Sequence, residues 1–420
     1  MTSNNLDVEK NEAEVSKNVP ELRFKGFIDA WEQRKFGQLY KKNNEKNKGQ
    51  FTSNKTISIA SMKFKPEGNG ASVDSLDGYK VLRLGDIAYE GHKNKQFSFG
   101  RFLLNDIGDG IMSPRFTTLR PITPMDINFW KQYIIYEPIM KHLLVKSTKL
   151  GTMMNELVQE DLFKLSLVTP SDKEQQQIGT LFKQLDDTIT LHQRKLDKLK
   201  RLKQGYLRQL FPQNDEKVPR VRFANFDYKW EQHKLRDILS EAINDGPHTT
   251  PALVKEGIPF ISVDAIVDNK IVFDRKRGYI SNETNEIYSK KYRPQINDVY
   301  LVKSGSTVGK TAIVETTEQF NIWSPLAAMR TGEVSDPYFL YFLLQTCNVQ
   351  NQVRDKASNG TQPNLGMKEL EKFHIITPSR TEQQKIGNIF KQLDITITLH
   401  RSKLDKLKSL KQSLLQKMFI

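Results

Sequence analysis

Residues 164–211, KLSLVTPSDKEQQQIGTLFKQLDDTITLHQRKLDKLKRLKQGYLRQLF, return at 372–419 as KFHIITPSRTEQQKIGNIFKQLDITITLHRSKLDKLKSLKQSLLQKMF, 208 residues later. A shorter block precedes each copy. Pro20-Glu-Leu-Arg-Phe24 with Trp31-Glu-Gln-Arg-Lys35 reappears as Pro219-Arg-Val-Arg-Phe223 with Trp230-Glu-Gln-His-Lys234, 199 residues on. The frames are near copies, yet the stretches they enclose are almost unalike. The period is far too long for a solenoid, so the repeating unit is a whole domain plus its helix. One scaffold, used twice in pseudo-twofold fashion, presents two different surfaces.

The frame explains itself as a helix. In Thr-Pro-Ser-x-x-Glu-Gln-Gln, Ser171 and Ser379 serve as N-caps, with Glu174 and Glu382 three residues on as capping-box partners. Seam residues then follow with 4-3 spacing: Leu185, Ile189, His192, Leu196, Leu199, Lys203, Tyr206 and Leu210, matched by Leu393, Ile397, His400, Leu404, Leu407, Lys411, Leu414 and Met418. This is a coiled-coil seam with two polar interruptions per helix. About 40 residues at 1.5 Å each make a rod of roughly 60 Å. Pairing the two helices antiparallel at full overlap sets Leu185 against Met418 and Leu196 against Leu407. It also sets His192 against Lys411 and Lys203 against His400, two shared polar layers that would fix register. The plainer alternative is that these side chains snorkel at a frayed seam.

Composition bounds the partners. The chain of 420 residues carries a formal charge of +15, which points to a polyanion such as nucleic acid. The excess is +6 over 20–163, near zero over 215–371, and +4 and +6 over the helical stretches 172–211 and 380–420. Part of it is therefore solvated helix face. The lone Cys347 excludes internal disulfides and fits a reducing cytoplasm; set in the apolar run YFLYFLLQTCNV, it reads as a buried structural thiol. No signal peptide opens the chain, no apolar run is long enough to span a membrane, and residues 1–18 read as a disordered tail.

The two halves share an order of elements. Lys80–Tyr89 and Arg115–Arg120 read as strands in the first; Ile258–Val263, Asp298–Val302 and Thr311–Val314 in the second. Ser113-Pro114 and Ser324-Pro325 precede a short strand. An apolar helix follows over 129–144 or 337–353. Gly151-Thr-Met-Met-Asn155 or Gly360-Thr-Gln-Pro-Asn364 then turns back toward the long helix. The expected organisation is a tail (1–18), a domain (19–170), a helix (171–211), a linker (212–217), a second domain (218–378) and a second helix (379–420). The class is α+β, with two mixed α/β domains separated by two long antiparallel coiled-coil helices.

Enzymatic motifs are decoys. Ser304-Gly-Ser-Thr-Val-Gly-Lys-Thr311 lacks the first glycine of a P-loop and sits between strands, with no helix opening after Lys310. Asp264, Asp268 and Lys270 resemble a nuclease triplet only loosely. One Cys and seven scattered His argue against zinc, and no catalytic or metal residue is assigned. DNA contacts need Lys, Asn, Ser and Thr in loops. The candidates are Lys46, Lys48, Lys55, Lys93, Asn94, Lys95 and Arg101 in the first domain. In the second they are His248, Thr249, Ser304, Ser306 and Lys310.

The paired Pro-Ser-x-x-Glu-Gln-Gln helices, the Trp-Glu-Gln blocks and Gly360-Thr-Gln-Pro-Asn-Leu365 together resemble the specificity subunit of type I restriction–modification enzymes, over about 400 residues. The first half departs from the last motif. The resemblance implies target-recognition domains, each reading half of a bipartite asymmetric double-stranded DNA site. It implies helices that set their spacing and dock two modification (methyltransferase) subunits, with restriction/translocase subunits joining them. It also implies a non-catalytic chain that binds no cofactor itself, S-adenosylmethionine, ATP and Mg belonging to the partners. The alternative is a free-standing bipartite DNA-binding regulator, which would need no docking surface on its helices.

Overall fold

The computed structural model describes residues 18–68, 70, 72–92, 97–152, 154–213, 216–358 and 362–420. Residues 1–17 of the expected tail lie outside it. The chain forms two compact units, Met1–Gln193 with Lys403–Ile420, and Arg194–Ser402.

In the first unit, β1 (Tyr40–Lys42), β2 (Ile87–Glu90), β3 (Arg101–Leu104) and β4 (Thr117–Pro121) form an antiparallel sheet ordered β1-β4-β2-β3. Helix α1 (Ile127–Ile135) packs on β3, and the long helix α2 (Asp172–Gln209) follows. In the second unit, β5 (Asn244–Asp245), β6 (Val299–Val302), β7 (Thr311–Ile313) and β8 (Leu326–Met329) are ordered β5-β8-β6-β7, the same arrangement. Helix α3 (Pro337–Leu343) packs on β7, and α4 (Arg380–Met418) closes the element order. The central strands are apolar on both faces because both are covered. Val299 and Leu301 of β6 join one core, while Tyr300 and Val302 join another.

A buried ion pair repeats without any sequence repeat to announce it. Asp86, just ahead of β2, binds Arg120 of β4 at 2.8 Å; Asp298, just ahead of β6, binds Arg330 just after β8 at 2.7 Å. The registers Ile87↔Leu119 and Val299↔Met329 put the two pairs at equivalent places. The sheets differ in their companions. Lys80–Leu82 pairs antiparallel with Gly110–Met112, whereas Ile258–Ile261 pairs parallel with Asn321–Ile322.

The copied frames meet one another. Glu32–Lys35 pairs antiparallel with Ser166–Thr169, as Glu231–Lys234 does with His374–Thr377. Arg23 grips both oxygens of Glu174 at 2.8 Å, and Arg222 grips those of Glu382 at 2.7 and 2.8 Å. Both glutamates are thus committed to a distant arginine, which corrects the capping-box expectation: a bidentate charged partner outcompetes a local backbone amide. Gln175 accepts from Trp130 Nε1 and donates to the Pro170 carbonyl; Gln383 accepts from Ser335 Oγ and donates to the Pro378 carbonyl. Gly179 and Gly387 lie against Asp126 and Asp336, the N-caps of α1 and α3.

In each unit the start of one long helix runs antiparallel to the end of the other. Phe182 meets Phe419 and Asp186 meets Lys411 in the first unit; Phe390 meets Phe211 and Asp394 meets Lys203 in the second. The polar layers differ from expectation. Lys411 Nζ lies 2.6 Å from Asp186 and Lys203 Nζ 2.7 Å from Asp394, so each lysine takes a carboxylate as a partner. A carboxylate compensates a partly buried ammonium. Leu185, Leu196, Leu404 and Met418 are buried, and Ile189, His192, Leu199, Lys203, Leu393, Ile397, His400, Leu407 and Lys411 are half-buried.

Other local expectations also change. The apolar helix over 129–144 is two helices, Ile127–Ile135 and Glu137–Ser147, because Pro138 opens the second. That over 337–353 breaks into Pro337–Leu343 and Cys347–Lys356. Cys347 thereby falls on the exposed side of a new helix that buries Val349 and Val353, so it is not a core thiol. The stretch Lys80–Tyr89 is two strands, parted by a turn with Gly85 at φ +87°. No helix among the described residues is long and apolar enough to cross a membrane.

Candidate nucleic-acid interface

The second domain gathers four separate segments at one end of its sheet. The turn 303–310 joins β6 to β7 directly, with no helix after Lys310. Its Lys303 N–H donates to the Pro325 carbonyl at 2.8 Å, and Ser324 N–H donates to Pro247 at 3.2 Å, drawing in the loop after β5. Gly305 N–H donates to Pro363 and Leu365 N–H to Lys303, at 3.0 and 2.7 Å, which folds the Gln-Pro-Asn-Leu turn against the same hairpin. Two segments proposed from sequence, 244–251 and 304–310, are therefore neighbours. His248, Thr249 and Ser306 are exposed, and Ser304 is half-buried in a bridge to Asn364. Lys310 is exposed at the other end of the turn, opposite Val302, where its charge acts on Asp268.

Sequence reasoning missed the groups that charge this mouth. Lys291 and Lys303 lie within ion-pair distance of Asp245, and the Arg277 guanidinium stacks 4.1 Å from the Trp323 ring centre. Only Lys303, adjacent to Ser304, lay close enough in sequence to be found.

The first domain builds the corresponding end with other residues. Lys46, exposed, donates to the Gly78 carbonyl and pairs through its backbone with Lys80. Lys80 Nζ donates to Phe116 O at 2.7 Å. Burial holds its pKa below the ordinary lysine value, and the charges of Lys46 and Lys42 add to the effect. Among the described residues Lys42, Lys46 and Lys80 have no carboxylate partner. Lys48 is exposed at φ +45°, and Lys55 lies over the Phe64 ring at 4.8 Å. Arg101 is engaged by Glu90 across the β2–β3 hairpin at 2.6 Å, so it braces the hairpin. Lys93, Asn94 and Lys95 lie outside the described residues. The Gly151–Asn155 turn folds onto that hairpin much as its counterpart does: Asn155 N–H donates to Gly91 O at 2.9 Å and its side chain to Ser98 O.

Two members of the nuclease-like triplet are tied to the long helix. Asp268 binds Arg401 at 2.7 Å and Lys270 donates to Thr398 Oγ1, both on α4. Among the described residues no group of three His, Cys, Asp or Glu could hold a metal ion.

Comparison with known proteins agrees with this architecture. Residues 8–201 and 228–409 each match the family model of the type I restriction modification DNA specificity domain. The MjaIX type I restriction enzyme specificity subunit of Methanocaldococcus jannaschii is 23% identical over 317 residues, 71% of this chain and 70% of that protein. The putative MjaX specificity subunit from the same organism is 20% identical over 400 residues, 90% and 88% of the two chains. Among solved structures, the type I restriction–modification S subunit from M. genitalium superposes with a TM-score of 0.62 at 15% identity, covering 96% of this chain and 99% of the other.

Proposed function

The chain belongs to the type I restriction–modification DNA specificity family, and on that premise we propose that it is the non-catalytic subunit that chooses the DNA site. Each globular domain reads one half of a bipartite, asymmetric target in double-stranded DNA. The long helices set the separation of the half-sites and dock two modification subunits. Restriction/translocase subunits complete the assembly, and S-adenosylmethionine, ATP and Mg are bound by these partners.

One observation carries this reading. The two domains share a strand order and are fixed to their helices by the same Arg–Glu, Gln and glycine contacts, while the side chains at the ends of their sheets are unrelated. A duplicated frame with divergent tips suits two different short sequences, not a palindrome. Helix α2, with 38 residues, is about 57 Å long, enough to act as a ruler over more than one turn of DNA. The test is a domain exchange. Replacing the interior of 40–150 by that of another recognition domain changes one half of the motif methylated in host DNA and leaves the other intact. A continuous palindromic motif would overturn the reading.

A further inference from the structure

Asp245 is the most completely enclosed charged group at the mouth of the second domain. Its carboxylate is fully buried, yet three nitrogen-bearing side chains converge on it: Lys291 on Oδ1, and Lys303 and His248 Nε2 on Oδ2, each of the latter two at 3.3 Å. Neither Oδ2 contact is a well-formed hydrogen bond. One carboxylate balances one ammonium, so two lysines leave a surplus positive charge even with a neutral histidine.

The burial is graded. The Lys303 side chain is only 10% exposed, whereas those of Lys291 and His248 are 48% and 69% exposed. Lys291 also donates to the Gly246 carbonyl, fixing it to the loop that carries His248. The arrangement is an outward pair of donors, anchored from beneath by a carboxylate and backed by a second ammonium. Lysine presents only donors. The first domain, with different residues, likewise brings lysines together at the end of its equivalent strand β1: Lys42 closes that strand, Lys46 follows it, and Lys80 bridges to Lys46.

We propose that Lys291 and His248, positioned by Asp245 and backed by Lys303, form a contact site for an oxygen-rich edge of DNA, either backbone phosphate oxygens or guanine O6/N7. The site rests on the reading of the second domain as a DNA-recognition domain. Asp245 is a positioning residue: its buried carboxylate gathers Lys291, Lys303 and His248 at one place, offsetting the repulsion between the two ammonium groups. Both ligand sources are acceptor-only surfaces that lysine recognises in DNA.

The experiment uses the full-length chain co-purified with its modification subunits. The motif is first read from methylated host DNA, and the domain exchange shows which half belongs to the second domain. Binding is then measured by fluorescence anisotropy from 50 to 200 mM salt. One duplex carries the motif; another has the second half-site scrambled. Lys291→Ala and His248→Ala alter well-exposed side chains and leave the fold intact. If the site takes phosphate, Lys291→Ala weakens binding to both duplexes alike and lowers the salt slope by about one. If it takes guanine, binding to the motif duplex alone falls by about 5- to 150-fold, and the methylated motif becomes degenerate at one G·C position of the second half. Asp245→Asn reproduces whichever pattern Lys291→Ala gives, with the first half-site unchanged; mere loss of fold would abolish both halves. Wild-type affinity, slope and motif in both Lys291→Ala and His248→Ala overturn the proposal. Failure of the wild-type assembly to bind DNA would instead overturn the functional reading beneath it.

Discussion

Three glycines inside the long helices give the same substitution opposite signs. Gly205 in α2 has no atom within 4 Å of where a Cβ would stand. Gly205→Ala therefore gains only helix propensity, about 1 kcal/mol. At Gly387 in α4 the added carbon would lie 2.5 Å from Asp336 Oδ1 and 3.0 Å from Phe339 N, the acceptor and donor of the α3 cap. Gly179 meets Asp126 Oδ1 at 2.4 Å and Phe129 N at 2.7 Å in the same way. Losing such a cap costs about 0.5–2 kcal/mol, and overpacking adds about 1–3. Set against the propensity gain, Gly179→Ala or Gly387→Ala should destabilise by roughly 0.5–4 kcal/mol. Urea titration of the three variants, followed by circular dichroism, should move the midpoint up for Gly205→Ala and down for the other two. Adding Asp336→Ala to Gly387→Ala should recover part of the loss, because the methyl then has room. A Gly387→Ala protein as stabilised as Gly205→Ala would refute the claim that this glycine exists for close docking.

Replacing Arg222 by Met should cost about 3–5 kcal/mol, since Glu382 is left buried and unpaired, and Arg222→Met with Glu382→Met should recover most of it in the same titration. Arg401 holds the Asp268 carboxyl below its ordinary value, so that pair stabilises above the unfolded pKa near 3.8 and fades as pH falls through the lower folded value. The stability difference between wild type and Arg401→Ala, about 0.2–1 kcal/mol for so exposed a pair, should be present at pH 7 and vanish in strong acid. Purified alone, the chain should hydrolyse no ATP; robust ATPase activity abolished by Lys310→Ala would contradict the turn assigned to 303–310. Inserting four residues near Lys198 adds one helical turn, about 6 Å, and should lengthen the non-specific spacer in the methylated motif without altering either half-site.

The frame was legible because it is written twice, and the heptad spacing alone marks both long helices. Local rules then failed wherever a distant residue supplied a better partner. Glu174 fits a capping box, but Arg23 lies 151 positions away and only the folded chain brings it there. The seam histidines suggested shared polar layers, and the lysines take the carboxylates of Asp186 and Asp394 as partners. The Asp86–Arg120 and Asp298–Arg330 pairs occupy one structural position with no common flanking residues, so no motif could reveal them. The recognition surfaces were the least readable part. Loop composition singled out His248 as a candidate, while Lys291, which shares Asp245 with it, comes from a different stretch with no local pattern.

The composition of the first unit has a consequence for biosynthesis. Its aromatic core of Phe129, Tyr133 and Phe182 is closed by Phe419, which leaves the ribosome only after the whole of Arg194–Ser402. At about 5–20 residues per second, that interval is roughly 10–40 s. The domain whose synthesis starts first is thus finished second. During the wait its aromatic box is open along one side, and a nascent chain halted between the units would present that opening to chaperones and to neighbouring nascent chains.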